Sequence, residues 1–383
     1  MSTGADSLLE GAIRLRIRWD GRRVSGAQVE STRPLVAAAL EGKRPDEVLP
    51  LVPRLFAVCA GAQRACAEAA LATARTGAEA VDVGGAWARE LDVAAECALE
   101  ALWRLTLDLP QSLDETPEPM ALSAARRSFA AARLSGTAAA WREVAATLRT
   151  LLERSVLGQP LEDWLALGER DGLDEWLAQG RTATARRMAR LWHDDWGASG
   201  VPLMPSEIQV PALTALSPAL RSDRAFPRYP TWNGMPRETG ALARQQAHPL
   251  IRPLLAARGG TVAVRWLARL VELAQLVLEL EQLSDDGRPR GKVRSLQLAS
   301  GVGMAWVENA RGLLIHLVET DAGRVGRYVI VAPTEWNFHP DGPFVGALAG
   351  VEMADAAALD RRARLLAQAL DPCVAYRIEV GHA

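Results

Sequence analysis

The chain is short of several things. It has four cysteines in 383 residues (Cys59, Cys66, Cys97 and Cys373), an ordinary count. Its only lysines are Lys43 and Lys292, and the remaining basic residues are arginines. Net charge is −2, so no global field gathers nucleic acid or an anionic membrane. The opening stretch, with Ser2, Gly4, Asp6 and Glu10, has no basic segment leading into an apolar one, which excludes a secretory signal. Uninterrupted apolar runs are missing too. The best, Val262 to Leu280, is broken by Arg265, Arg269, Glu272 and Glu279, and reads as a core-facing amphipathic helix, not a membrane span. The expectation is a cytoplasmic protein with no nucleic-acid or membrane partner. Its thiols are then reduced, free or metal-bound, and not paired as disulfides.

What is present suits a soluble globular protein: 49% apolar and 23% charged residues, in a chain long enough for a large core. Ile13, Leu15 and Ile17 alternate with Arg14, Arg16 and Arg18. Asp20-Gly21 then supplies a turn, which predicts an N-terminal hairpin over 11–31. A helical core over 53–197 follows, with apolar residues at helical spacing in 55–76, 84–109, 122–134, 137–155, 161–167 and 173–196. Residues 198–245 carry Pro202, Pro205, Pro211, Pro218, Pro227, Pro230 and Pro236. Phe226, Tyr229 and Trp232 imply that this irregular stretch packs on something, and loops of this length are often functional. The last part, 246–383, predicts a helix over 260–283, strands over 293–299, 303–308, 313–319 and 325–331, and a helix over 354–370.

Two short stretches each read as a CxxC with one thiol missing. In Arg54-Leu55-Phe56-Ala57-Val58-Cys59, Phe56 stands where the first cysteine would be. In Asp371-Pro372-Cys373-Val374-Ala375-Tyr376, Tyr376 stands where the second would be. By spacing alone, a cysteine in an Ala-rich helix is a small buried hydrophobe. The neighbourhood makes the case instead. Gly240-Ala241-Leu242-Ala243-Arg244 closes the proline-rich stretch, Glu308-Asn309-Ala310-Arg311-Gly312 sits between two strands, and Pro333-Thr334-Glu335-Trp336-Asn337 follows a strand.

In that order these motifs resemble the large subunit of nickel–iron hydrogenases along nearly the whole chain. The family's opening Arg-Ile-Glu-Gly-His reads here Leu8-Leu9-Glu10-Gly11-Ala12, and its Arg-Ile-Cys-Gly-Val-Cys…His reads Arg54 to Cys59, then Gln63. Its Gly-Pro-Leu-Ala-Arg, Glu-Ala-Pro-Arg-Gly and Pro-Thr-Thr-Trp-Asn fall at Gly240–Arg244, Glu308–Gly312 and Pro333–Asn337. Its closing Asp-Pro-Cys-x-x-Cys-x-x-His reads Asp371 to Tyr376, then Glu379. The resemblance implies a single α+β, mostly α domain, with a helical core and small peripheral sheets.

The departures point away from catalysis. In the family four thiolates hold nickel, and two of them also bridge to an iron that carries cyanides and carbon monoxide. Here Cys59 matches a bridging position and Cys373 a nickel-only position. Phe56 and Tyr376 supply no thiolate, and the two family histidines are Gln63 and Glu379. The chain stops at Ala383, four residues past Glu379, so a clipped nickel-insertion extension is not expected. The pattern is similar to the hydrogenase-accessory scaffolds of the HupK/HoxV type, which implies a non-catalytic carrier of an Fe(CN)2(CO) group without nickel. Implied partners are small iron-carrying maturation chaperones and the unfinished hydrogenase large subunit.

Two soft thiolates suit low-spin ferrous iron. They bind when deprotonated, which a nearby cation favours, and being fewer than in the finished site they make hand-over downhill. By the resemblance, Arg311 lies over one cyanide nitrogen, a charge-assisted contact, while Pro333 and Thr334 meet the other. Without the resemblance, Arg311 reads as a surface salt bridge and Thr334 as a strand-end cap. Glu10 takes a structural role, His316 is a strand residue, His339 a loop residue, Cys66 and Cys97 packing. Trp336-Asn337 fixes the turn that presents Thr334. Two other classes compete: a divergent hydrogenase-like enzyme, which four thiols at the two motifs would favour, and a metal-free interaction subunit. Joint retention of Cys59, Cys373, Arg311 and Thr334 argues against the latter.

Overall fold

The computed structural model describes residues 11–76, 83–168, 170–194 and 196–382. Leu8, Leu9 and Glu10 of the opening motif lie outside the described residues. The chain forms two compact units, one from 11–76, 199–240 and 291–382, the other from 83–198 and 241–290.

The first unit holds both sheets. Strand β1 (Ile13–Trp19) buries Ile13, Leu15, Ile17 and Trp19 and exposes the arginines between them, because successive side chains point to opposite faces. It pairs antiparallel with β2 (Val24–Ser31), giving the predicted hairpin. Strands β3 (Arg294–Ala299), β4 (Val302–Asn309), β5 (Gly312–Asp321) and β6 (Arg324–Val331) form an antiparallel meander. The chain's end adds what the sequence did not announce: β7 (Tyr376–His382) runs parallel to β1, Ile13 opposite Tyr376, so β1 is the middle strand of three.

Helix α1 (Ala60–Thr76) lies on β4 and β5. Its buried face is built from small residues, among them Gly61, Ala62, Ala67, Ala70 and Ala74. Gly303 lets the two backbones meet: a Cβ there would sit 2.6 Å from Ala74 N, closer than packed atoms tolerate. Pro333, expected in a turn, instead opens a short helix α2 (Pro333–Asn337), where proline's fixed φ fits the first position. Helix α3 (Ala356–Leu370) then runs toward the C-terminal motif.

In the second unit the helix Val262–Asp286 is packed by Val83–Trp103 and Ala138–Leu151. Its charges do not form a solvated stripe, contrary to the amphipathic expectation: Arg265, Arg269 and Glu272 are buried. Each has a partner, as buried charge requires. Arg265 donates to Gly197 O at 2.8 Å, Arg269 lies 4.7 Å from the Trp266 ring centre, and Arg244 donates to Glu272 Oε2 at 2.8 Å. The single helix expected over 173–196 is two, Arg170–Gln179 and Ala183–His193. Gly180 takes a left-handed φ of 53°, and Thr182 caps the second helix by accepting Ala185 N–H at 3.1 Å, each a stop or start signal. Among the described residues no helix is long and apolar enough to cross a membrane.

Candidate metal-group site

Both motif cysteines belong to the first unit. A short helix Val52–Leu55 breaks at Phe56, whose φ of −133° and ψ of 66° are non-helical, and a single turn Ala57–Cys59 leads into α1. Cys59 is buried at that junction. At the other end, α3 stops because Asp371 adopts a left-handed φ of 57° while its N–H still reaches Ala367 O at 2.9 Å. Aspartate is one of the few side chains that tolerates this conformation, and Pro372 cannot continue a helix. Two residues past Cys373, Ala375 O accepts Ile13 N–H at 3.0 Å as β7 begins. Cys373 is thus held between a helix stop and a strand start.

Its position is fixed again from α2. Thr334 Oγ1 accepts the Cys373 amide at 3.1 Å and donates to Cys373 Sγ at 3.0 Å. Asn337, one turn along, ties the surroundings together. Its Oδ1 accepts Thr239 N–H at 2.9 Å, and its Nδ2 donates to Thr239 O at 3.1 Å and Leu370 O at 3.0 Å. One amide therefore satisfies buried backbone groups from two other segments, which would each be costly unpaired. Asn337 thus has a structural role, tying Thr239 and Leu370 to α2.

Arg311 occupies a two-residue turn between β4 and β5, with Asn309 Oδ1 accepting its N–H at 2.9 Å. It is no surface salt bridge. Its side chain is 1% exposed, and its Nε faces Asp371 Oδ1 at 3.2 Å. The turn needs glycine at its end: Gly312 has φ 129°, and a Cβ there would meet Gly240 N at 2.8 Å. Gly240 and Gly312, drawn from two separate motifs, therefore pack backbone on backbone.

Cys59 and Cys373 line one cavity of about 290 Å³ together with Arg33, Arg54, Phe56 and Val374. Phe56, the residue in place of a thiol, makes one wall apolar. Arg33 is the half-buried cation. Its Nη1 lies 2.6 Å from Glu335 Oε1, with 13% and 14% of the two side chains exposed. Burial by itself would lower the Arg33 pKa, but the charge of Glu335, then those of the Cys373 and Cys59 thiolates, raise it. The cavity therefore joins two soft donors with a permanent positive charge.

Beneath Cys59 runs a buried polar chain. Gln63 Nε2 donates to Cys59 Sγ at 3.7 Å, and Gln63 Oε1 is 2.9 Å from His316 Nε2. His316 Nδ1 is 2.9 Å from Tyr328 Oη. An amide oxygen only accepts, so His316 Nε2 carries the proton and Nδ1 accepts from Tyr328. Burial lowers the His316 pKa to about 3, keeping the ring neutral, and raises those of Cys66 and Tyr328.

The structure thus brings Cys59 and Cys373 to one cavity, sets Thr334 against Cys373, and couples Arg311 to the motif through Asp371. Arg311, Pro333 and Thr334 are not in the cavity lining. Cys66 and Cys97 are buried and do not line it. His339 is buried, its Nδ1 accepting Asp341 N–H at 3.0 Å. Sequence reasoning missed Arg33, Glu335 and the Gln63–His316–Tyr328 chain. One signal was available for Glu335: it stands where the resembling motif has threonine.

Residues 254–378 match the nickel-dependent hydrogenase family. The hydrogenase expression/formation protein HoxV of Cupriavidus necator is 35% identical over 92% of both chains. The hydrogenase expression/formation protein HupK of Bradyrhizobium diazoefficiens is 31% identical, again over 92% of both. The fold is that of the Ni-Fe-Se hydrogenase of D. vulgaris Hildenborough, with TM-score 0.60, 16% identity, and 92% of this chain and 94% of that one covered. The resemblance read from the motifs and the mostly α, α+β fold are both borne out. With two such relatives matched nearly end to end, the chain belongs to the family of hydrogenase expression/formation proteins that includes HoxV and HupK.

Proposed function

We propose that this protein is a non-catalytic cytoplasmic scaffold of hydrogenase maturation. It holds an Fe(CN)2(CO) group on Cys59 and Cys373 and passes it to the unfinished hydrogenase large subunit. One observation carries the reading: two thiols from opposite ends of the sequence line one cavity beside a half-buried guanidinium. The iron group is cargo here, and the cavity suits it. About 290 Å³ has room for on the order of ten waters, more than iron with three diatomic ligands needs. Thiolates are fitting donors for low-spin ferrous iron, while two of them are too few for the four-sulfur nickel site of the resembling enzymes.

By the motif match Arg311 and the Pro333–Thr334 corner belong beside the cyanides, but none of the three lines the cavity; they hold the Cys373 end of the site instead, Thr334 through Cys373 and Arg311 through Asp371. The names of the relatives support a maturation role and, with it, partners that deliver and receive the cargo. The cavity mouth suits docking: Leu55 and Val58, both in its lining, are exposed at 39% and 42%, a local apolar rim of the kind that marks interaction sites. Metal analysis of protein purified without oxygen from a hydrogenase-producing host tests the reading. The expected result is iron near one per chain, nickel near zero, and loss of iron in Cys59→Ser. Stoichiometric nickel with hydrogen uptake would restore the enzyme reading.

A further inference from the structure

Glu335 is an acid where the resembling motif has threonine, and it is not a surface charge. It neighbours Thr334, which touches Cys373 Sγ, and it holds Arg33 at 2.6 Å in the cavity wall. The new carboxylate and the half-buried guanidinium form one device. Resting on the cargo reading above, the charge balance gives it a purpose. Ferrous iron with two cyanides and a carbonyl is neutral, so held on two thiolates it forms a dianion whose negative ends include the cyanide nitrogens.

We propose that Arg33 is the specificity-determining group of the cavity: it compensates the charge of a thiolate-bound, cyanide-bearing metal group, and Glu335 sets how much of its charge the cargo receives. A fixed cation in a low-dielectric wall raises the local potential and disfavours bare metal cations. Glu335 competes with the cargo for the same guanidinium, so holding stays weak enough for release. The other charged group on the lining, Arg54, is exposed, where solvent screens it. Arg228 donates to the Arg33 carbonyl, at 3.3 Å.

The test uses the full chain without cargo, so its failure is separate from failure of the iron reading. Cys373 is alkylated in parallel with anionic iodoacetate and neutral iodoacetamide, followed by peptide mass spectrometry. Both reagents react with the thiolate, so the ratio of their rates reports local potential and not thiolate fraction. The expected result is that Arg33→Gln lowers the iodoacetate-to-iodoacetamide ratio about threefold to tenfold. Glu335→Gln raises it, and Arg33→Lys keeps it near the wild-type value. Arg54→Gln moves it less than Arg33→Gln does. Buried Cys66 serves as the folding control. If its alkylation shows Arg33→Gln to be unfolded, Glu335→Gln and Arg33→Lys carry the test. An unchanged ratio in folded Arg33→Gln and Glu335→Gln would overturn the proposal.

Discussion

Thr334 Oγ1 binds Cys373 twice, accepting its amide at 3.1 Å and donating its single proton to the sulfur at 3.0 Å. The hydroxyl thereby fixes both the backbone and the thiol of a residue that lies between a helix stop and a strand start. Replacing it by valine removes both bonds at nearly constant volume. Thr334→Val is expected to cost about 1–3 kcal/mol, the usual penalty for an orphaned buried donor. It should also slow iodoacetamide labelling of Cys373, because the sulfur loses a donor that favours its reactive thiolate form, whereas Thr334→Ser should leave labelling near wild type. Equal labelling of the valine variant and the wild type would remove Thr334 as the positioning group.

Arg311 and Asp371 form a pair at 3.2 Å whose side chains are 1% and 3% exposed. Breaking such a pair from one side leaves a buried charge. Arg311→Met is therefore expected to destabilise the protein by roughly 3–5 kcal/mol in urea denaturation. Adding Asp371→Asn should recover part of that loss, because asparagine also accepts the left-handed backbone at this position. Strict additivity of the two losses would show that the residues do not act as a pair. Loss of cargo in an Arg311 variant has meaning only beside this stability measurement.

His316 is buried and neutral, with its pKa lowered to about 3 from the ordinary 6.5. The unfolded chain takes up the proton first as pH falls. Stability is thus complete above about pH 6.5 and declines toward pH 3, by up to about 1.4 kcal/mol per pH unit from this one group. His339 and His248 are also lowered by burial and add to the slope. Denaturation midpoints between pH 7 and pH 4 should fall less steeply in His316→Gln than in the wild type. An identical slope would show that His316 is not the titrating group.

Much of the fold can be read from residue patterns, and its failures have physical causes. The Ile/Leu–Arg alternation of 13–18 needs only the two-residue period of a strand, and β1 follows it. The strand Tyr376–His382 escapes such reading because its partner, β1, is more than 350 positions away; parallel pairing across that distance leaves no local signal. Arg265, Arg269 and Glu272 look like a solvated stripe, since periodicity reports spacing and not the presence of buried partners such as Gly197 O, Trp266 and Arg244. At the site, Cys59, Cys373 and Thr334 are visible through their motifs. Arg33 is not, because a guanidinium acquires its role only when folding brings Glu335 and the two thiols around it.

The central claim is that Cys59 and Cys373 together hold a cyanide- and carbonyl-bearing iron. Infrared spectroscopy of protein purified anaerobically from a hydrogenase-producing host tests it most directly. The account predicts cyanide and carbonyl stretching bands in the wild type and their loss in both Cys59→Ser and Cys373→Ser. A wild-type spectrum without such bands, or bands that persist in both variants, would contradict it.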